Sequence, residues 1–248
     1  MKLKAKRWEI ILGVFLVLLT VILYVMHYLI FHDIHHIMIY FLGDLAFLPL
    51  EVLLVAIIVH RLLASREKKM KMDKLGVVIN TFFSEVGVEL LKKLSSFCNN
   101  SELVKNSLLK VSDSTRKDFL TLIKKIKQQD YSFNSQRGDI ENLKDFLIKK
   151  RDFLLMLLEN PMILEHDQFT NLLWSIMHLE EEVFYRKDLK NLYKKDYEHL
   201  SGDIKRVYTL LIQEYIIYLM NLKNKYPYLF SLATRINPFN PQAKVEIS

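Results

Sequence analysis

WEIILGVFLVLLTVILYVMHYLIFHDIHHIMIYFLGDLAFLPLEVLLVAIIVH, residues 8–60, contains no lysine and no arginine. Two apolar runs occupy it and its C-terminal edge, 10–30 and 37–63. Each is long enough to cross a bilayer: a hydrocarbon core of roughly 30 Å takes about 20 apolar residues at the helical rise, and only a helix satisfies its own backbone polar groups there. The predicted architecture is all-α, a two-helix transmembrane hairpin over residues 1–64 followed by a cytosolic helical bundle, 65–233, and a C-terminal tail, 234–248.

Orientation follows from the basic residues. Lys2, Lys4, Lys6 and Arg7 precede the first run, and Arg61, Arg66, Lys68, Lys69, Lys71 and Lys74 follow the second, while segment 31–36 carries none. The positive-inside rule then places both termini in the cytoplasm and makes the chain a multi-pass protein of the cell (inner) membrane. A cleaved signal peptide is the competing reading of residues 1–30. The run exceeds an ordinary apolar signal core, and no small-residue cleavage site follows Ile30. Trp8 and Tyr40 suit interfacial anchors or plain lipid-facing aromatics.

The formal net charge of +7 does not indicate a nucleic-acid partner, because beyond Ala64 basic and acidic residues are interspersed. Only the stretch from Arg61 is concentrated. Arg61, Arg66, Lys68, Lys69 and Lys71 suit anionic lipid headgroups, at about 1 kcal/mol each, so the lipid bilayer is the first expected partner. The single cysteine, Cys98, reads as a small buried apolar group in a reducing compartment.

Only 6 glycines and 5 prolines interrupt the chain, and no sustained apolar alternation marks a strand. Leu75, Ile79, Phe82, Val86, Leu90, Leu94 and Phe97 recur at helical spacing. No proline or glycine falls between Leu50 and Leu75, so the second run should continue into this helix without a hinge. Asn99-Asn100-Ser101 should end it and cap the next. Further helices read as 101–111, 114–129, 139–159 and 166–187, with Asp113 and Asp139 as caps and Asn160-Pro161 as a stop. Tyr193, Tyr197, Leu200, Ile204, Tyr208, Leu211, Tyr215, Tyr218 and Leu222 keep one phase through a last long helix that Pro227 ends. Two Asn-Pro steps then put the chain in turns. The C-terminal segment either docks Phe230 and Phe239 on the domain or binds a protein partner.

Gly43-Asp-Leu-Ala-Phe-Leu-Pro-Leu-Glu-Val-Leu-Leu-Val55, Phe82-Phe-Ser-Glu-Val-Gly87, Asn160-Pro-Met-Ile-Leu-Glu-His166, Leu172-Leu-Trp-Ser-Ile-Met-His-Leu-Glu180 and Tyr226-Pro-Tyr-Leu-Phe-Ser-Leu-Ala233 span nearly the whole chain. They resemble an uncharacterised prokaryotic membrane-protein family with an N-terminal hairpin and a cytosolic helical domain. The resemblance implies a shared architecture in which hairpin and domain form one unit. It supplies no activity and no catalytic residues.

Asp44 and Glu51 lie seven residues apart in the second run, two helical turns and nearly one face. A charge at the helix centre costs about 2.5–3.5 kcal/mol, so the pair must meet protein, water or an ion, or take up protons. If several hairpins surround this face, the two become stacked carboxylate rings that favour cations, and Pro49 between them frees a backbone carbonyl. The plainer reading makes Glu51 a protonated interhelical contact and leaves Asp44 near the outer headgroups.

His27, His32, Asp33, His35 and His36 crowd the outer loop. Imidazole suits zinc or copper, and His32 and His36 share a face if that turn is helical, so His32, Asp33, His35 and His36 form a candidate metal set. A pH sensor is the other use of such a loop. Gly76, Asn80, Ser84 and Gly87 form one stripe that lets another backbone approach, with Glu85 and Glu89 beside it and Glu89 placed to meet Lys93. His178 with Glu180-Glu181-Glu182 invites a metal reading, but no second His-Glu repeat follows. His178 therefore reads as a boundary histidine and Glu182 with Arg186 as a surface pair.

Gly-x-x-x-x-Gly-Lys, Gly-x-Gly-x-x-Gly, Gly-x-Ser-x-Gly and His-Glu-x-x-His are all absent. The expectation is a non-enzymatic membrane-anchored sensing or scaffolding module, homo-oligomeric and without a cofactor. The alternative is an oligomeric cation or proton pathway lined by the second span.

Overall fold

A computed structural model describes residues 2–100, 102–240 and 243, with the side chains of 2–7 and 103 left outside that description. The Ser101 cap and the end of the polar tail therefore lie outside the described residues. The chain divides into two compact units, Met1–Lys68 and Lys69–Ser248. Among the described residues there is no strand, and the fold is all-α; one isolated bridge pairs Cys98 with Phe133.

The first unit holds helix α1, Lys2–Phe31, and the greater part of α2, Ile34–Phe82. Both are long and apolar enough to cross a membrane, and none of their apolar stretch is buried. The connection is only His32 and Asp33. His32 adopts a left-handed backbone, φ 50°, and the Asp33 carboxylate accepts from the amides of His35 (2.9 Å) and His36 (3.2 Å), capping α2. α2 runs on through Pro49 and through residues 62–74 as one helix.

In the second unit α2 passes through a π turn, Phe83–Gly87, into α3, Val88–Ser95. Leu75, Ile79, Phe82, Val86, Leu90, Leu94 and Phe97 are all buried. Then come α4, Glu102–Leu109, a 3-10 turn, Val111–Asp113, and α5, Arg116–Gln128. Asp113 is not the cap of α5. Thr115 is, in a reciprocal box with Asp118 that satisfies two amides at once.

Helix α6 is Ile140–Leu158, capped by Asp139, and Asn160 caps the short α7, Pro161–Leu164. α8, Asp167–Tyr185, is followed by the longest helix of this unit, α9, Lys194–Lys225. Pro227 does more than end α9: it starts a further helix, α10, Pro227–Arg235, because a proline at the first helical position forfeits no hydrogen bond. α9 packs against α8, α5, α3 and α10, and α8 against α6 and α7. Its predicted apolar phase is buried from Leu200 to Leu222 apart from half-buried Tyr218, whereas Tyr193 precedes the helix and is 85% exposed. Phe230 and Phe239 are buried, and Asn237 anchors the segment after α10 by donating to the Leu108 carbonyl at 2.9 Å. The free thiol of Cys98 is buried, which pushes its pKa up.

The glycines differ in what they allow. Gly76 faces open space, so close backbone approach does not explain it. A Cβ at Gly87 would stand 2.5 Å from Phe83 Cδ1 and 2.9 Å from Phe82 Cε1, so the crowding comes from rings of its own turn. Gly87→Ala should therefore cost about 1–3 kcal/mol by overpacking. Gly202, mid-helix in α9 with nothing near its missing Cβ, should gain about 0.5–1 kcal/mol on Gly202→Ala. Denaturant midpoints of the two variants check the opposite signs.

Candidate functional site

Helices α8 and α9 bring four side chains together at one edge of the second unit. His178 and Glu182 stand four residues apart on α8, and His199 and Asp203 four apart on α9, so each pair lies on one face of its helix. His178 meets Asp203 and Glu182 meets His199, the pairing that antiparallel helices produce. The connection 186–193 sets that register. Leu189 is buried in it, Asp188 accepts from the amides of Lys190 and Asn191, and Tyr197 donates to the Lys190 carbonyl at 2.6 Å.

His178 Nε2 lies 3.6 Å from Asp203 Oδ1 and 4.0 Å from Glu182 Oε1. His199 Nε2 lies 3.3 Å from Asp203 Oδ2 and 3.5 Å from Glu182 Oε2. Ligand atoms of His178, Glu182 and His199 fall within 4.8 Å of one another, and the two imidazole rings stand at 90°. Asp203 is 2% exposed, and its Oδ2 accepts no hydrogen bond. Both imidazoles are about half-exposed. Arg186 holds Glu182 and reaches Asp196 at 3.2 Å, while Arg206 approaches Asp203 Oδ1 at 3.2 Å. The Arg186 guanidinium holds the Glu182 carboxyl below its ordinary range.

Sequence reasoning reached His178 and Glu182 but sought a second Glu-x-x-His motif. The available signal was His199-x-x-x-Asp203, the same spacing with the order of types kept, on the next long helix. Glu180, placed in the same acidic run, faces away. It is fully buried and ion-paired with Arg151 of α6, while Glu181 is exposed.

In the first unit, Asp44, Pro49 and Glu51 are exposed on α2. The loop residues His32, Asp33, His35 and His36 do not converge as ligands. His32 stands outside both helices, so no helical face joins it to His36, whose ring stacks instead on His27 at 5.8 Å. Arg61, Arg66, Lys68 and Lys69 are exposed, whereas Lys71 lies 3.2 Å from Glu165. Asn80 and Ser84 line a groove of about 320 Å³ with Phe83, Tyr218, Leu229 and Ile236. Glu85 pairs with Lys150 at 3.1 Å, and Glu89 with Lys93 at 3.3 Å as its spacing predicts.

Together these features define an all-α protein in which a pair of long apolar helices precedes a self-contained helical domain. The chain belongs to the MJ1433 family: residues 2–63 match the N-terminal helical domain of MJ1433, and residues 71–235 match the C-terminal helical domain of Uncharacterized protein MJ1433. It is 43% identical over 237 residues to Uncharacterized protein MJ1433 of Methanocaldococcus jannaschii, covering 95% of this chain and 94% of that protein. No solved structure matches the chain.

Two further carboxylates of the second unit are buried. Desolvation raises the pKa of Glu180 against the pull of Arg151. Glu214 on α9 is 3% exposed, and burial pushes its carboxyl up to about 7, with Lys127 opposing. The folded state thus binds this proton more tightly than the unfolded state, whose carboxyl titrates near 4.5. Its contribution is complete below pH 4.5 and is lost as pH rises through 7. Glu214→Gln should flatten that slope and stabilise the chain at pH 8 by up to about 3 kcal/mol relative to wild type. Denaturation at pH 4.5 and 8 measures it, and parallel slopes in variant and wild type would refute it.

Proposed function

We propose that the chain is an integral membrane protein whose two N-terminal helices anchor the helical domain at the cytoplasmic face of the cell membrane. There it acts as a non-enzymatic sensing or scaffolding module and assembles as a homo-oligomer. One observation carries this reading: α1 and α2 expose a continuous aliphatic surface, from Leu19 at 39% to Ile11 at 67%, that no described residue covers. Surface of that extent belongs in lipid or against a partner. Flanking basic residues with none between them favour both ends inside. The second unit buries its own core, which suits a domain standing in water.

Asp44 and Glu51, exposed on α2, favour a second reading, an oligomeric cation or proton pathway. In that case Glu51→Gln should lower cation flux in reconstituted vesicles while assembly survives. Wild-type vesicles with no flux across varied pH, voltage and divalent ions would remove it.

The anchoring itself is tested by topology. Asp33→Cys should react with an impermeant thiol reagent in intact cells, and Ser248→Cys only after permeabilisation. An alkaline wash that releases the chain from membranes, or the reverse labelling pattern, would overturn the proposal.

A further inference from the structure

We propose that His178, Glu182, His199 and Asp203 bind one divalent transition-metal ion of the zinc class, clipping α8 to α9. The site lies wholly within residues 69–248 and stands whether or not the first unit enters a membrane.

The distances support a coordination shell. Zinc bonded to nitrogen and oxygen at about 2.0–2.2 Å in a tetrahedron sets its ligand atoms about 3.3–3.6 Å apart. Between the imidazoles and the two oxygens not held by arginine, His199 Nε2 lies 3.3 Å from Asp203 Oδ2 and His178 Nε2 lies 4.0 Å from Glu182 Oε1, and one ligand atom each of His178, Glu182 and His199 falls within 4.8 Å of the other two. The first separation meets the required edge, and the second comes to it by a small turn of the Glu182 side chain.

The orphaned oxygen is the second and independent observation. Asp203 Oδ2 is buried and accepts no hydrogen bond although His199 Nε2 is 3.3 Å away. A buried carboxylate oxygen without a partner is costly. A near nitrogen that does not aim its hydrogen at the oxygen is what two ligands of one shared centre look like, since both point at the centre and only graze each other. Hydrogen bonding alone would align them.

The surroundings divide each carboxylate between two tasks. Arg206 approaches Asp203 Oδ1, leaving Oδ2, and Arg186 holds Glu182 Oε2, leaving Oε1 turned toward His178. Outer partners of this kind orient ligating carboxylates. Two imidazoles with two carboxylates select zinc, cobalt or nickel over magnesium and calcium, which prefer all-oxygen shells. The half-exposed imidazoles leave an entry path from solvent.

The test uses the purified full-length chain stripped of metal with a chelator. Zinc titrated against a chromophoric competitor should bind at one equivalent, and cobalt should give the intense visible absorption of a tetrahedral centre. His178→Gln and His199→Gln should each weaken zinc by at least about tenfold, with circular dichroism unchanged. Asp203→Asn should do the same where it folds. A triple variant of the loop, His32→Gln with His35→Gln and His36→Gln, should keep the full equivalent. Zinc should raise the melting temperature of wild type and of the triple variant, but not that of His199→Gln. Absence of stoichiometric binding to the folded wild type, undiminished binding in both His178→Gln and His199→Gln, or loss confined to the loop variant would each overturn the proposal. Membrane extraction of His199→Gln should match wild type, so failure of the metal site and failure of the anchoring reading give different results.

Discussion

Two adjacent phenylalanines, each buried against a different helix, are the constraint on which the second unit depends. Neighbouring residues of an α-helix point about 100° apart, so Phe82 and Phe83 cannot share one apolar face. Phe82 packs edge-on against Phe169 of α8 at 5.1 Å, while Phe83 stacks on Tyr218 of α9 at 4.6 Å and tilts against Tyr215 at 5.6 Å. Each fully buried ring stabilises by about 1.5–3 kcal/mol. The end of α2 is thereby wedged between α8 and α9, and the π turn with Gly87 beneath the rings is the local cost of seating both.

With that wedge in place, α8 and α9 have a fixed register, and the polar groups along α8 follow from it. Residues two apart on a helix point to nearly opposite sides. Glu180 therefore faces α6 and Arg151, while His178 and Glu182 face His199 and Asp203 of α9. Glu180 and Asp203 are each almost wholly buried and each has an arginine at hand. A paired buried charge adds little net stability but is costly to break, so these pairs resist sliding of one helix along another more than they deepen the fold.

Much of this order is visible in the chain. The buried series from Leu75 to Phe97, the phase of α9 from Leu200 onward, the Asp139 cap and the Asn160-Pro161 stop were legible because period and capping chemistry are local, whereas Asn160 as the cap of α7 was not. The π turn was not read, yet its trace is there. Phe82, Val86, Leu90 and Leu94 are spaced by three consecutive fours, which drift about 40° per step on a regular helix and leave any single face. A wider turn absorbs the drift. Thr115 was overlooked for Asp113 because an acidic residue two positions earlier carries the same cap signal, and only the reciprocal Asp118 distinguishes them. The α8–α9 cluster escaped because its halves are 21 residues apart in sequence, and only the antiparallel return joins them.

The first unit settles its burial differently, and its two carboxylates show how narrowly. In the proposed membrane setting, thirteen Leu, Ile, Val and Phe side chains between positions 41 and 59 favour insertion by about 4–8 kcal/mol. Asp44 and Glu51, if charged near the centre, oppose it by about 5–7 kcal/mol together. The second span is then close to balance as an isolated charged helix. It becomes firmly stable only when Glu51 takes up a proton, gains a partner on a neighbouring helix, or faces water shared by several copies. Asp44, seven residues nearer the outer end of the span than Glu51, reaches headgroups more cheaply than Glu51 does. Glu51 is exposed on α2, so in that setting its compensation falls to a proton, to water or to a neighbouring helix, and the last of these is what the proposed assembly would supply.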